Sequence, residues 1–87
     1  KSDKGEFVAI IAGEEAGKIT YVQSSPELII IDHTEVNDAF RGHSVGKNIV
    51  KEIVEYARIK SVKILPLCPF VKSVFDKDLT ISDVRKV

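Results

Sequence analysis

The apolar residues of this chain change their spacing at Gly42. Before it, residues 28–36 (LIIIDHTEV) form the most strand-like segment, rich in β-branched side chains that suit a pleated surface. After it, Val45, Ile49, Val50, Ile53, Val54 and Ala57 recur every third or fourth position, which places them on one face of a helix. Lys47, Lys51, Glu52, Glu55 and Arg58 mostly face water on that reading. A second short apolar run, residues 62–67 (VKILPL), follows the helix and a Lys-Ser turn, so the order is strand, helix, strand. Such a crossover is expected to be right-handed and to join parallel strands. With 87 residues the chain has room for one core, and every other element must pack around this unit, giving a single domain over residues 1–87.

Upstream, residues 6–12 (EFVAIIA) and residues 18–23 (KITYVQ) read as the strands of a β-hairpin, joined by a turn-like stretch between Gly13 and Gly17. Ser24-Ser25-Pro26 breaks the pattern before the third strand, which is expected to be central and antiparallel to its predecessor. Pro66 predicts that pairing is interrupted near the end of the fourth strand. Phe70, Val71, Val74 and Phe75 have helical spacing, and Pro69 suits the first turn of that helix. Residues 78–87 carry little signal.

Thirteen basic and thirteen acidic residues cancel, so no bulk field draws the chain to nucleic acid or to an anionic membrane. No apolar run, residues 28–31 included, comes near the roughly 20 residues needed to span a bilayer. The first five residues lack the apolar stretch of a signal peptide. These features, with a lone cysteine that has no intramolecular partner, point to a reducing, cytoplasmic setting. No methionine occurs, so the native start is expected to be missing.

The constellation that carries function is Arg41-Gly42-His43-Ser44-Val45-Gly46-Lys47, a strand end and a turn running directly into the helix. The first amides of a helix lack carbonyl partners, and with the positive end of the helix dipole they favour phosphate. Gly42 and Gly46 permit unusual dihedrals or close approach of a ligand, and Arg41 and Lys47 can add charge-assisted contacts. A plainer alternative makes Gly42 only a turn residue, Ser44 only a helix cap and the basic residues solvated surface. A P-loop is excluded, since Gly42 and Gly46 are too close together and Asn48 stands where the hydroxyl belongs; G-x-G-x-x-G is absent as well.

Residues 41–46 (RGHSVG) resemble the acetyl-CoA-binding signature of the GNAT superfamily of N-acetyltransferases, Q/R-x-x-G-x-G/A, with Ser44 where that family usually has glycine. The blocks His33-Thr34-Glu35-Val36 and Leu65-Pro66-Leu67-Cys68-Pro69-Phe70 are similar to those of very small single-domain members. The likeness covers roughly residues 6–77. It implies an α+β fold of GNAT type: a mixed, mostly antiparallel sheet with one splayed parallel pair, flanked by helices. It also implies that acetyl-CoA is the acyl donor, that residues 41–47 hold its pyrophosphate, and that Val36 offers backbone hydrogen bonds to the pantetheine arm. Cys68 would then stand near the thioester.

Transfer of acetyl to an amine requires a base for the ammonium and an acid for the departing thiolate. His33 has a suitable ordinary pKa, and a half-buried Glu35 could be raised into range. His33 and Glu35 alternate with Asp32 and Thr34, so one pair faces the cofactor and the other away; the pattern leaves open which. Cys68 is a candidate covalent nucleophile, general acid or small buried residue. The tyrosine that often serves as acid in larger relatives has no counterpart here, and Tyr21 and Tyr56 read as packing residues. No spacing suits a metal. The leading expectation is an N-acetyltransferase acting on a primary amine; the alternatives are a non-catalytic acyl-CoA-binding module and a protein-interaction domain.

Overall fold

In the computed structural model, which describes residues 3–86, strands β1 (Lys4–Ile11), β2 (Glu14–Ser25), β3 (Leu28–Val36) and β4 (Lys63–Pro66) form one sheet in the order β1-β2-β3-β4. Lys1, Ser2 and Val87 lie outside the described residues. The first two pairings are antiparallel and β3–β4 is parallel, joined by helix α1 (Val45–Lys60). Helix α2 (Pro69–Lys77) begins with proline in its first turn, as expected. The architecture is the mixed α+β sheet with one parallel pair anticipated above.

The hairpin corrects the expected turn between Gly13 and Gly17. The chain reverses at Ala12-Gly13 alone, where φ is 52° and 81°, and β2 begins at Glu14. Two successive positive φ angles give a tight turn whose twist matches the strands it joins. Ala16 and Gly17 are buried within β2, where α1 packs across them.

The core lies on the sheet face that carries Ile19, Ile29, Ile31 and Ile64, all fully buried. The six apolar positions read on α1 close over it, and Val71 and Phe75 of α2 join the same cluster. Each such side chain contributes on the order of 1.5–3 kcal/mol by leaving water. Tyr21 and Tyr56 do pack, both against Phe7 with ring centroids 5.4 Å away.

The C-terminal stretch with little sequence signal combines a buried Val84 with hydrogen bonds and ion pairs to the rest of the fold. A 3-10 turn, Leu79–Val84, leads to Arg85, which forms an isolated parallel bridge with Ile64 of β4, and the Lys86 amide donates to the Ile64 carbonyl at 2.8 Å. Arg58 of α1 holds this tail: Nε donates to Asp83 Oδ2 at 3.1 Å, and Nη2 donates to Asp83 Oδ1 at 2.9 Å and to the Thr80 carbonyl at 3.1 Å. The Arg58 guanidinium keeps the Asp83 carboxyl below its ordinary pKa. A depressed folded value means that the clasp contributes above the unfolded pKa and is lost as pH falls through the folded one. We therefore expect amide protection of residues 79–86 to hold at neutral pH and to drop below about pH 4. Arg58→Met should lose that protection at every pH; protection in this variant equal to wild type would show that packing alone holds the tail.

Candidate functional site

The parallel pair separates early. Its last register position is Ile31 opposite Pro66, and the amides of Leu67 and Cys68 both donate to the Ile31 carbonyl at 3.0 and 3.2 Å. Beyond that point β3 continues to Val36 without β4 at its side. The pairing interruption expected at Pro66 is therefore present, and a notch opens along the free edge of β3.

A β-bulge determines which side chains face the notch. Thr20 pairs with His33 and Tyr21 with Ile31, so Asp32 is the extra residue. Directly opposed residues share a face, and Thr34 opposes the buried Ile19. Before the bulge Ile29 and Ile31 point to the core; after it Thr34 and Val36 take that side. The question left open by simple alternation is thereby answered: Thr34 faces Cys68, while His33 and Glu35 lie on the opposite face, 63% and 56% exposed, with His33 Nε2 3.6 Å from Glu35 Oε2. His33 also borders the mouth of the notch.

Backbone direction follows from the same ladder. The Asn37 amide donates to the Ala16 carbonyl on β2 at 2.8 Å. Alternation turns the N–H and C=O of Val36, and those of Thr34, toward the side that β4 has left.

From Val36 the chain passes through a short 3-10 turn, Asp38–Phe40, capped by the Asn37 side chain, whose Oδ1 accepts from the Ala39 amide at 2.9 Å. Gly42 adopts φ 92°, and a Cβ at this position would have nothing within 4 Å, so glycine is demanded there by the dihedral alone. Gly46 differs. It sits inside the first turn of α1, and a Cβ there would lie 2.7 Å from the Phe70 ring, so the close approach it permits in this structure is that of Phe70. The first helical bond runs from the Asn48 amide to the Ser44 carbonyl at 3.0 Å, leaving the amides of Val45, Gly46 and Lys47 ahead of the hydrogen-bonded ladder. Arg41 is not a bare cation: Nη2 donates to Asp38 Oδ1, and this bond raises the arginine pKa and lowers that of the carboxyl.

Ser44 corrects the expected side-chain cap. It occupies the cap position at φ 56° and ψ 34° and its hydroxyl makes no capping bond. The left-handed conformation costs a non-glycine residue about 1–2 kcal/mol, so Ser44→Gly is expected to raise stability by up to about 1 kcal/mol, read as a higher urea midpoint. A lower midpoint would mean that the hydroxyl contributes something its contacts do not reveal.

These elements enclose an open cleft of about 700 Å³. The residues expected to bind cofactor meet there: Val36, Arg41, Gly42, Ser44, Val45, Gly46 and Lys47 line it, and Cys68 stands at its inner end. His43 and Glu35 do not line it; the His43 ring instead packs edge-on against Phe40, 6.1 Å between centroids. Thr34, Phe40 and Phe70 line the cleft as well and were not singled out from the sequence.

Cys68 is 7% exposed, at the cap position of α2. Its Sγ lies 3.2 Å from Thr34 Oγ1. Burial pushes the thiol pKa up, but the Thr34 hydroxyl and the backbone amides of Val71, Phe70 and Thr34 together favour the thiolate more strongly, leaving the value below that of an ordinary thiol.

No helix among the described residues is long and apolar enough to cross a membrane. No protein of curated function matches the chain by sequence. The solution structure of a GCN5-like protein from Staphylococcus aureus is similar at 34% identity and a TM-score of 0.75, covering 93% of this chain and 80% of its own. A ribosomal-protein-alanine N-acetyltransferase from Brucella melitensis biovar Abortus 2308 superposes with a TM-score of 0.73 at 17% identity, over 86% of this chain and 60% of its own. A GNAT family acetyltransferase from Elizabethkingia anophelis with acetyl-CoA bound superposes with a TM-score of 0.68 at 15% identity, over 86% of this chain and 52% of its own. At those identities the last two speak to fold alone. The sequence profile of GCN5-related N-acetyl-transferases matches residues 6–84, and with that match and the 34% identity the chain belongs to this family of acetyltransferases.

Proposed function

We propose that the protein is an N-acetyltransferase that binds acetyl-CoA in the cleft and transfers the acetyl group to a primary amine. The observation that carries the reading is the convergence, in one cleft, of free helix-start amides at residues 45–47 and a thiol of lowered pKa at the far end of a strand notch. The pyrophosphate takes the amides of Val45, Gly46 and Lys47, with Arg41, Gly42, His43 and Ser44 shaping the turn that presents them. Pantetheine runs along the free edge of β3, where Val36 and Thr34 turn their backbone groups outward, and so carries the thioester to Cys68. An amine reaching the thioester from the exposed sheet face passes His33 and Glu35, which supply the base. Acetyl-CoA bound to the Elizabethkingia anophelis protein of like fold is consistent with this donor. A single thiol that must stay unoxidised suits the cytosol.

Titration of acetyl-CoA into labelled protein, followed by backbone amide shifts, tests the reading. Shifts clustered at Val36, residues 41–47 and Cys68 are expected; none at millimolar ligand would sink the transferase reading and favour an interaction domain. Release of free CoA thiol with a panel of amines then separates turnover from binding alone.

A further inference from the structure

The cleft meets water on the side from which an acceptor arrives. Helices α1 and α2 give their buried side chains to the core on one face of the sheet, and β3 carries Asp32, His33 and Glu35 exposed on the other. His33 lines the same cleft as Cys68, and its Nε2 lies 3.6 Å from Glu35 Oε2, near enough for the carboxylate to stabilise an imidazolium as it forms. Cys68, in contrast, is buried at the inner end. Burial works against its thiolate, but the Thr34 hydroxyl and the amides of Val71 and Phe70 outweigh it, and a sulfur stabilised in this way is also a good leaving group. An acetyl group on Cys68 is therefore a reactive thioester. Enzymes that keep such intermediates from hydrolysis close over them and expel water. Here an imidazole with a carboxylate behind it stands at the wet end of the cleft and the thiol at the dry end.

We propose that the protein is also a thioesterase: when no amine is at hand, water takes the acceptor's place and acetyl-CoA is hydrolysed through an acetyl-Cys68 intermediate, with His33 as the base for water and Glu35 as its charge partner. The inference rests on the cofactor reading above and adds a second acceptor to it. The Cys68 thiolate bonds to the acetyl carbon, the carbon–sulfur bond to CoA breaks, and CoA leaves as thiolate. A water molecule then gives one proton to the His33 imidazole while its oxygen bonds to the acetyl carbon. The bond to the Cys68 sulfur breaks, acetic acid departs, and Cys68 is again a thiolate. The proton on His33 passes to solvent, and the balance is one acetyl-CoA and one water consumed for one acetic acid and one CoA thiol.

Release of acetate and CoA thiol from acetyl-CoA in an amine-free buffer, followed for the wild type, Cys68→Ala and His33→Gln, tests it, with backbone amide shifts reporting folding and cofactor binding in each. In the wild type the two products should appear in equal amounts and exceed the protein many times over. Cys68→Ala should turn over roughly 10²-fold more slowly. His33 is 63% exposed, so His33→Gln should keep the fold; it should release one equivalent of CoA, hold the acetyl group on Cys68, and turn over roughly 10²-fold more slowly, as loss of a positioned base requires. A wild-type protein that shows the amide shifts yet yields no more acetate than buffer overturns the hydrolysis and leaves the cofactor reading standing. Undiminished turnover in Cys68→Ala overturns the acetyl-cysteine route, and undiminished turnover in His33→Gln overturns the assignment of the base. Absence of amide shifts in the wild type overturns the cofactor reading itself, and this inference with it.

Discussion

Cys68→Ala is expected to lower kcat by about 10²-fold or more, the range over which a positioned proton donor or nucleophile acts, while acetyl-CoA affinity changes little. The thiol stands where the notch between β3 and β4 ends, at the start of α2. Burial alone would leave it a weak acid, but Thr34 and the amides beyond Pro69 reverse that balance. Two steps use such a thiol. In one, the acceptor amine attacks the thioester carbon and gives up a proton to the base proposed on β3, the C–S bond breaks, and the Cys68 proton passes to the departing CoA sulfur, Cys68 being reprotonated from solvent. In the other, the Cys68 thiolate bonds to the acetyl carbon and CoA leaves as thiolate; the amine then attacks the acetyl carbon, the S–C bond to Cys68 breaks to return its thiolate, and the amine proton passes to the released thiolate or to solvent. An acetyl adduct on Cys68, trapped by mass spectrometry in the absence of acceptor, selects the second. Thr34→Val supplies an independent check. It removes the hydroxyl that favours the thiolate, so the pH profile of Cys68 alkylation should move to higher pH. Unchanged turnover in Cys68→Ala would reduce the residue to packing.

How far the site was legible in the sequence depended on which interactions were local. The period change at Gly42, the six buried positions of α1 and Pro69 opening α2 are written in spacings of a few residues, and each appears where expected. The bulge at Asp32 is not. It arises from pairing with β2, more than ten positions away, and it exchanges the faces of Thr34 and His33 without a mark in the composition of β3. The sequence therefore left open whether Thr34 or His33 faces the cofactor, although the Thr34 hydroxyl is hydrogen-bonded with the Cys68 thiol. The role of Gly46 was similarly hidden, because the ring that crosses it belongs to Phe70 on another helix. The tail after Asp78 has weak periodicity, and its contacts run to Arg58, again on a different element.

Gly17→Ala should be among the most damaging single-methyl changes in the molecule. Gly17 opposes Val36 in the β2–β3 ladder, and an added Cβ would lie 2.8 Å from the Glu35 carbonyl oxygen and 2.9 Å from Val45 Cγ1. The first of these is ladder backbone and cannot retreat without loosening the strand pair. The second belongs to the opening residue of α1, itself 3% exposed. Relief must come from displacing strand or helix, and overpacking of this kind costs about 1–3 kcal/mol. In a chain of this size such a loss lowers Tm by on the order of 10 °C. Gly13→Ala is the matched comparison: its added methyl meets nothing, but φ is 81°, so it should cost about 1 kcal/mol through the backbone alone. The two variants should differ further in ligand binding. Gly13 lies at a distant hairpin tip, whereas any shift of Val45 moves the amides assigned to pyrophosphate away from the Val36 edge assigned to pantetheine. Well below its Tm, Gly17→Ala should therefore bind acetyl-CoA more weakly than wild type while Gly13→Ala binds it equally well. A Gly17→Ala protein as stable as wild type would mean that α1 does not depend on the bare strand at Gly17 for its seat on the sheet.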